Sequence, residues 1–322
     1  MITLADRTNV ADNPTRAAGT EMLVGRVAVV IPTYNRARLL ERAVASVSAQ
    51  TCAKVCDVVI VDDGSTDDTP QTAARLGPRV RYLRQSRQGP AAARNAAIDQ
   101  TRHEFIAFLD SDDVWLPDKI ARQLDVMRRY PEVVLVGGPT DRLHRDGTMV
   151  HIPPPRMPLG EPVDLAPTLL NENVLSTPAV MVRRSALRPC DRFPESLRCS
   201  EDYVFWVRVA MRGPCVFLPE PVAVAAVDSD DSLSGRQDEL WHGSIESLRM
   251  LDRELPHSAA LRPILRAHLA RVLAQARDWH YRRGLYAEAA HLGAQSLLRS
   301  PWGRSAWEWE CVVLSALRSV MG

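Results

Sequence analysis

The sequence lacks the features that would place a protein across a membrane or on nucleic acid. Its 322 residues contain no apolar run of about 18 residues, which is what a transmembrane helix needs. Lysine and arginine number 40 against 39 acidic residues, so the net charge is +1 and no basic excess is available for a phosphate backbone. We therefore expect neither a spanning helix nor a nucleic-acid partner.

Signals for export and for a metal cage are also absent. Residues 1–25 lack the basic-then-apolar layout of a signal peptide, and we expect them to form a flexible polar segment. Six cysteines in a long chain without an export signal indicate free thiols in a reducing compartment. The eight histidines show no metal-ligand spacing. These absences predict a cytoplasmic location and argue against a zinc site.

What the sequence does contain is an alternation of buried strands and amphipathic helices. Hydrophobic residues make up 46% of the chain, enough for a full core. Such an alternation predicts right-handed βαβ units, hence an α/β fold with a mostly parallel sheet covered by helices on both faces. The strands are predicted at 27–32, 57–64, 80–85, 104–113 and 132–138, and the helices at 37–50, 65–76, 89–101 and 116–130.

The pattern changes after residue 140. A hairpin is expected around Asp146-Gly147, followed by a proline-rich surface loop. The segment 200–213 is compatible with either a strand or a buried helix, and the chain is helical from about 238. We expect three parts: a flexible segment at 1–25, an α/β domain at 26–237 and a helical region at 238–322.

Three polar clusters follow strands of the predicted sheet: "PTYNR", "DDGSTDD" and "DSDD". In parallel sheets the reactive groups lie beyond the carboxyl ends of the strands, so these clusters describe one crevice. Asp110 and Asp112 alternate along an extended segment and should project the same way, which suits one Mg²⁺ or Mn²⁺ ion. The alternative is that these acids cap the following helix or face solvent.

The order of the motifs adds a resemblance to a known family. The chain resembles the family 2 glycosyltransferases, which have the nucleotide-sugar-binding fold called GT-A. The resemblance covers about residues 26–227 and is carried by the stretches "VVIPTYNRARLLERAVASVSAQT", "VVIVDDGSTDDT", "GPAAARNAAI", "FIAFLDSDDVWLPDKI" and "SEDYVFW".

The resemblance implies a donor site. Asp63, or Asp62 in its place, would accept a hydrogen bond from the imide N–H of a uracil-like base, and Asp112 would bind the ion that bridges the diphosphate. Asp110 would face the ribose or the same ion. Further implied donor-site residues are Pro32, Thr33, Tyr34, Arg36, Gly64, Arg94 and Ser111. Read without the resemblance, the proline ends a strand, "DDGST" is a turn with a helix cap, and Arg94 is a surface residue.

The resemblance also implies an inverting reaction with a single catalytic base. Asp202 in "SEDYVFW" is the expected base, with Glu201 as the substitute or as a group that orients the acceptor. Two acids in the first turn of a helix would also be favoured by the helix dipole alone. The expected donor is a nucleotide sugar, with UDP favoured, and the expected acceptor is a hydroxyl of a glycan, a lipid-linked sugar or a small molecule.

Two other classes of function stay open. Metal-dependent nucleotidyltransferases and aspartate-nucleophile phosphatases also use acidic strand ends, but the former usually open with a basic glycine-rich loop and the latter carry Asp-x-Asp after the first strand. Neither feature is present. The other class that stays open is a non-catalytic protein that binds nucleotide sugars.

The C-terminal third resembles part of a tetratricopeptide repeat. The matching residues are Gly284, Tyr286, Glu288, Ala289 and Pro301, which predict a helical hairpin packed on the catalytic domain. The tail after residue 301 contains three tryptophans in an apolar stretch. A core-packing helix, a homodimer contact and a membrane-surface contact on the cytoplasmic face are all compatible with it.

Overall fold

The structure, a computed structural model, describes residues 27–227, 237–255, 260–299 and 312–318. The predicted flexible segment 1–25 lies outside the described residues, as do Pro301 and the tryptophans Trp302, Trp307 and Trp309 of the tail.

The first half of the chain alternates strands and helices as the sequence predicts. Each central strand is a short run rich in β-branched residues that is buried on both faces, which is the pattern of parallel sheets. The elements are β1 (Val27–Thr33), α1 (Ala37–Ser48), β2 (Cys56–Asp62), α2 (Thr69–Arg75), β3 (Val80–Arg84), α3 (Pro90–Asp99), β4 (Phe105–Phe108), β5 (Val114–Trp115), α4 (Lys119–Arg129) and β6 (Leu135–Gly137).

The second half contributes the remaining strands and most of the longer helices. The segment that the sequence left ambiguous, around residues 200–213, forms helix α6. The elements are β7 (Thr140–Leu143), β8 (Met149–Val150), α5 (Ala166–Asn171), β9 (Met181–Arg183), α6 (Glu201–Ala210), β10 (Cys215–Phe217), β11 (Ala223–Ala226), α7 (Gln237–Glu254), α8 (Arg262–Arg282) and α9 (Tyr286–Arg299).

The strands form two sheets. The larger has the order β10-β6-β9-β4-β1-β2-β3, in which β9 runs antiparallel to both of its neighbours and the other pairs are parallel. The smaller has the order β5-β11-β7-β8 and includes the predicted hairpin of β7 and β8. The expectation of a mostly parallel sheet is confirmed. The carboxyl ends of β1, β2 and β4 therefore lie at one edge.

Two local predictions are wrong. Strand β4 ends at Phe108, and Asp113 donates its backbone N–H to the carbonyl of Asp110 at 3.1 Å, so the acids lie in a turn. Asp110 and Asp112 are thus not aligned on one extended segment. Helix α2 begins at Thr69 and not at the predicted residue 65, and Asp67 before it accepts hydrogen bonds from the backbone N–H groups of Thr69 and Ala37.

The chain divides into two compact units. Among the described residues, the first contains 27–165, 174–196 and 205–227, and it includes both sheets. The second contains residues 166–173 and 197–204 and the described residues from 237 onward. In the first unit an aromatic cluster of Phe108, Phe193, Phe205 and Trp206 packs with ring centroids 4.1–6.1 Å apart.

The second unit is helical. Its helices α8 and α9 form a hairpin around Gly284, whose φ of +77° is readily adopted only by glycine. The apolar face of α8 is buried at Leu265, Leu269 and Leu273, and Ser296 of α9 donates a hydrogen bond to the carbonyl of Ala270 at 2.7 Å. Within the described ranges, no helix combines the length and the apolar content that spanning a bilayer requires.

Candidate nucleotide-sugar site

The loops that follow β1 and β2 are joined to each other by hydrogen bonds. Asn35, with a φ of 51°, donates its backbone N–H to Ser65 Oγ at 2.9 Å. Its side-chain oxygen accepts from the backbone N–H of Thr66 at 2.7 Å. Since Thr33 of β1 pairs with Asp62 of β2, both loops start at the same edge of the sheet. The first two predicted polar clusters therefore form one surface.

The carboxylate of Asp62 is fully buried and bonds to the protein itself. Its Oδ1 accepts from the backbone N–H of Ser65 at 2.7 Å, and its Oδ2 accepts from the hydroxyl of Tyr82 at 2.5 Å. Burial and the bond to Asp62 both raise the pKa of Tyr82, so the hydroxyl stays protonated as a donor. Of the two aspartates predicted to bind a base, Asp62 has the less accessible carboxylate.

Asp63 organises the loop between β3 and α3. Its Oδ1 accepts from Gln85 Nε2 at 2.8 Å and from the backbone N–H of Gln88 at 2.7 Å, while its Oδ2 accepts from the backbone N–H of Gly89 at 2.8 Å. A carboxylate offers about four lone-pair sites. The protein uses three of them, which leaves one for the predicted hydrogen bond from a nucleobase.

The residues predicted to line the nucleotide pocket lie around this loop. Pro32 and Thr33 are buried at the end of β1, and Thr33 Oγ1 has no hydrogen-bond partner among the described residues. Tyr34 is half-buried, and the guanidinium of Arg87 lies over its ring, 4.3 Å from the centroid. Gly64 has a φ of +87°, and a Cβ there would stand 3.4 Å from the backbone nitrogen of Arg87.

Asp110 and Asp112 each face an arginine from a different element. Arg94 Nη2 of α3 is 2.6 Å from Asp110 Oδ1, and Arg36 Nη1, before α1, is 2.8 Å from Asp112 Oδ1. Arg94 is buried, so the alternative that it is a surface residue is wrong. Ser111, between the two aspartates, is also buried. The structure therefore brings these five predicted residues together after β4.

The acidic turn holds three carboxyl groups, but among the described residues it pairs with only two arginines, Arg36 and Arg94. Asp113 is buried, and its Oδ1 accepts from the backbone N–H of Ala226 at 3.0 Å. Burial raises the pKa of Asp113 well above its usual range, and the charges of Asp110 and Asp112 raise it further. Burial also raises the pKa of Asp112, although Arg36 opposes this shift. A cation bound at the turn would favour the ionised forms of both carboxyl groups and so lower their pKa values.

The chemistry of the turn fits a hard divalent cation. Mg²⁺ and Mn²⁺ prefer oxygen ligands, and Mg²⁺ is usually bound by one or two carboxylates together with substrate phosphates. Over the part of the chain that the structure describes, no group of three or more His, Cys, Asp or Glu residues forms a metal cage. An ion at Asp110 and Asp112 would therefore depend on phosphate oxygens to complete its coordination.

The two residues predicted to be catalytic open helix α6 and belong to the second unit. Glu201 is buried, and Asp202 is half-buried with its Oδ1 accepting from the backbone N–H of Tyr203 at 2.7 Å. The first turn of a helix stabilises a carboxylate through the helix dipole, and it can also present one to a substrate. The catalytic role of either acid stays a prediction.

Sequence reasoning overlooked Arg87 and Tyr82. Tyr82 lies within β3 and reads as an ordinary strand residue, so no local signal marks it. Arg87 follows β3 and precedes the Gly89-Pro90 helix start, a position equivalent to the three clusters that were recognised. A cationic residue at the carboxyl end of a further parallel strand is a sequence signal that could have marked Arg87.

Comparison with known proteins identifies relatives by sequence. The profile of "Glycosyl transferase family 2" matches residues 28–189. An uncharacterized glycosyltransferase of Rickettsia felis is 32% identical over 189 residues, which is 58% of this chain but 30% of that protein. The succinoglycan biosynthesis protein ExoO of Rhizobium meliloti is 32% identical over 212 residues, covering 60% of this chain and 58% of ExoO. The chain thus spans under a third of the Rickettsia felis relative.

Solved structures share the fold. S. aureus TarS, residues 1–349, superposes with a TM-score of 0.64 at 20% identity, over 86% of this chain and 81% of that one. A mannosyltransferase from Pyrobaculum calidifontis, solved with GDP-Man and Mn²⁺, gives a TM-score of 0.61 at 19% identity, over 92% and 81% of the two chains. TarS has also been solved with UDP and with UDP-GlcNAc. At these identities the likeness concerns the fold, which is the expected GT-A arrangement.

Proposed function

Because the chain belongs to glycosyl transferase family 2, we propose that it transfers a sugar from a nucleoside diphosphate, with UDP favoured, to a hydroxyl acceptor. The observation that carries the proposal is the acidic turn at the carboxyl edge of the sheet, where Asp110 and Asp112 meet Arg94 and Arg36. Such a turn suits a cation and a diphosphate, and the adjoining surface with Tyr34 suits a nucleoside.

The chain's own residues would prepare the donor. Asp110 and Asp112 would hold Mg²⁺ or Mn²⁺, with Asp112 as the more direct ligand, and Arg36 and Arg94 would keep both carboxylates in place through their ion pairs. When bound, the cation supplies stabilisation of the negative charge that develops on the departing diphosphate. Asp63 would accept a hydrogen bond from the imide N–H of the base. It would use the carboxylate lone pair that its bonds to the loop leave free.

Asp202 would act as the general base. The acceptor oxygen forms a bond to the anomeric carbon while the bond from that carbon to the phosphate oxygen breaks. The electron pair leaves with the diphosphate, and the acceptor proton moves to Asp202. General-base assistance is typically worth about 10²–10⁴-fold. One base opposite the leaving group gives inversion, and Glu201 would orient the acceptor.

The acceptor is proposed to be a glycan or a related glycoconjugate. The similarity to ExoO, a succinoglycan biosynthesis protein, supports a place in polysaccharide biosynthesis. A lipid-linked or small-molecule acceptor would present the same hydroxyl chemistry. We further propose that the protein acts in the cytoplasm. Its C-terminal helices would contact either the membrane surface or a second copy of the chain.

The test is the metal-dependent release of UDP or GDP from a panel of nucleotide sugars, with water as the acceptor. We expect release with Mn²⁺ for at least one sugar. In Asp202→Asn, release should fall by about 10²-fold or more, while titration calorimetry should give an unchanged dissociation constant for the intact donor. If Asp202→Asn binds the donor and releases the nucleotide at the rate of the wild type, Asp202 is not the base.

The same assay separates an enzyme from a non-catalytic binding protein. If the donor binds with Mn²⁺ but no sugar of the panel is released, and addition of glycan acceptors changes nothing, the chain is a nucleotide-sugar binder. Membership of a glycosyltransferase family argues against the nucleotidyltransferase alternative.

A further inference from the structure

Ser200, the residue before Glu201 and Asp202, has a backbone conformation that serine rarely adopts. Its φ is 62°, in the left-handed region that favours glycine. Such a conformation persists only where the surrounding structure enforces it, and it is frequent at functional sites. Residues 199–203, the base segment, are held in this conformation by contacts at both of their ends.

At its first residue, the base segment is fixed to helix α7. Cys199 is buried, and burial raises the pKa of its thiol, so the sulfur keeps its proton. The thiol donates to the carbonyl of Glu239, with Sγ 3.0 Å from that oxygen. The helix comes this close because position 243 is a glycine, where a Cβ would overlap Cys199 Sγ. Cys199 therefore fixes the place where the segment starts.

At its last residue, the base segment is fixed to helix α5. The side chain of Tyr203 is buried, and burial raises the pKa of its hydroxyl, which therefore stays protonated. The hydroxyl donates to the carbonyl of Leu169 at 2.9 Å. The backbone N–H of the same tyrosine donates to Asp202 Oδ1 at 2.7 Å. A shift of Tyr203 would therefore move the carboxylate that is proposed as the base.

Helix α8 holds the end of α5 to which Tyr203 is bonded. The last carbonyls of a helix have no partner within it. Three successive ones of α5 accept hydrogen bonds from side chains of other elements: Leu169 from Tyr203, Leu170 from His268 and Asn171 from Arg271. His268 Nδ1 is 3.0 Å from the Leu170 oxygen, and since a carbonyl only accepts, Nδ1 carries the proton. The His268 ring also meets the Tyr203 ring edge-on, with centroids 6.3 Å apart.

We propose that the C-terminal helices α7 and α8 position the general base, with Tyr203 and His268 as positioning residues. This inference rests on the proposed function, because it takes Asp202 as the base, and it gives the helical region a role in the reaction itself. All the contacts that carry it lie within the second unit. A base must lie within hydrogen-bond reach of the proton it removes, and a displacement of about 1 Å can reduce a rate about 10²-fold.

The experiment separates turnover from donor affinity. Nucleotide release is measured on the full chain with Mn²⁺ and a nucleotide sugar that the wild type cleaves, and the dissociation constant of the released nucleotide is measured by titration calorimetry. His268→Ala and Tyr203→Phe should lower kcat by about tenfold or more and leave KM and the dissociation constant within about twofold of the wild type. Tyr203→Phe removes one oxygen and keeps the ring, so it tests the proposal even if His268→Ala does not fold.

Combination with Asp202→Asn distinguishes positioning from a loss of structure. If Tyr203 and His268 act through Asp202, each substitution should lower kcat by less than about twofold in the Asp202→Asn background. A loss of folded protein would instead lower kcat by the same factor in both backgrounds, and this result would overturn the proposal.

A conservative variant and a matched control complete the test. His268→Asn offers a side-chain N–H close to the place of Nδ1, and it should keep kcat within about threefold of the wild type. A loss in His268→Asn as large as in His268→Ala would contradict the proposal. The control is His291→Ala, which removes an exposed histidine of α9 that contacts Gln295. It should leave kcat and KM unchanged.

The two proposals fail in different ways. If the wild type releases nucleotide from no sugar, or if Asp202→Asn keeps the wild-type kcat, the assignment of the base fails and its positioning fails with it. If Asp202→Asn is impaired while Tyr203→Phe and His268→Ala both keep the wild-type kcat, only the role of Tyr203 and His268 is wrong.

Discussion

At the scale of single residues, Lys119 is a charge enclosed in the core of the first unit. Its side chain is completely buried, with Nζ 2.7 Å from Gln123 Oε1 and 4.1 Å from the centroid of the Trp115 ring. Gln123 uses its amide group to donate to the carbonyls of Val136 and Ala179, which fixes its oxygen toward Lys119. Burial lowers the pKa of Lys119 to about 7.

This shift predicts a dependence of stability on pH. In the folded chain Lys119 releases its proton near pH 7, whereas the unfolded chain keeps it to about pH 10.5. Between these values the unfolded state binds more protons, so the free energy of unfolding rises with pH, by up to a few kcal/mol in this window. Urea unfolding at about pH 6.5 and about pH 9 should show the rise in the wild type and its loss in Lys119→Met.

Lys54 provides the matched control, since it is exposed. Lys54→Met should keep the wild-type dependence on pH. Equal slopes for the wild type and Lys119→Met would show that Lys119 is not enclosed as the structure has it.

At the scale of elements, the close approach of helix α7 to Cys199 requires a glycine at position 243. A Cβ at Gly243 would overlap Cys199 Sγ and stand 2.9 Å from the Cys199 carbonyl oxygen, and Cys199 Sγ itself lies 3.0 Å from the carbonyl of Glu239. Alanine usually stabilises a helix interior relative to glycine by about 1 kcal/mol. Here the added methyl group would overpack against Cys199, which typically costs about 1–3 kcal/mol. The Cys199 carbonyl oxygen belongs to the backbone and cannot move away easily.

We therefore expect Gly243→Ala to lower the free energy of unfolding by up to about 2 kcal/mol. The comparison is His242→Ala, an exposed substitution in the same helix, which should change it by less than about 0.5 kcal/mol. Both are measured by urea unfolding followed by circular dichroism. A Gly243→Ala variant more stable than the wild type would mean that helix propensity outweighs the close approach.

At the scale of the whole molecule, binding of a donor should be visible as stability. A ligand that binds only the folded chain adds about 2.7 kcal/mol at a free concentration of about 100 times its dissociation constant. Because the acidic turn holds three carboxyl groups against two arginines, a divalent cation and a diphosphate should bind together and stabilise more than either alone.

The measurement is the thermal midpoint with UDP, with Mn²⁺ and with both. Asp112→Ala should abolish the additional shift that Mn²⁺ gives in the presence of UDP. Asp118→Ala removes a nearby exposed acid that makes no side-chain cap bond to α4, and it should behave as the wild type. An undiminished Mn²⁺-dependent shift in Asp112→Ala would place the cation elsewhere.

The sequence by itself determined the elements and their order. The β-branched runs of β1 and β2, the apolar stripe of α1 and the Gly89-Pro90 start of α3 are local signals, since backbone propensity and side-chain period act within a few residues. With strands and helices in alternation, the parallel sheet and the shared edge of its polar clusters followed. The proximity of the predicted residues around the acidic turn was predictable for the same reason.

Only the tertiary structure decided which partner each polar group takes. Nothing local indicates that Asp62 bonds to Tyr82, that Asp63 bonds to the loop before Gly89, or that Arg87 rests on Tyr34. The antiparallel insertion of β9 between β4 and β6 has the same origin. These choices join residues far apart in the chain. Most buried donors need an acceptor within reach, and only the tertiary packing brings one to them.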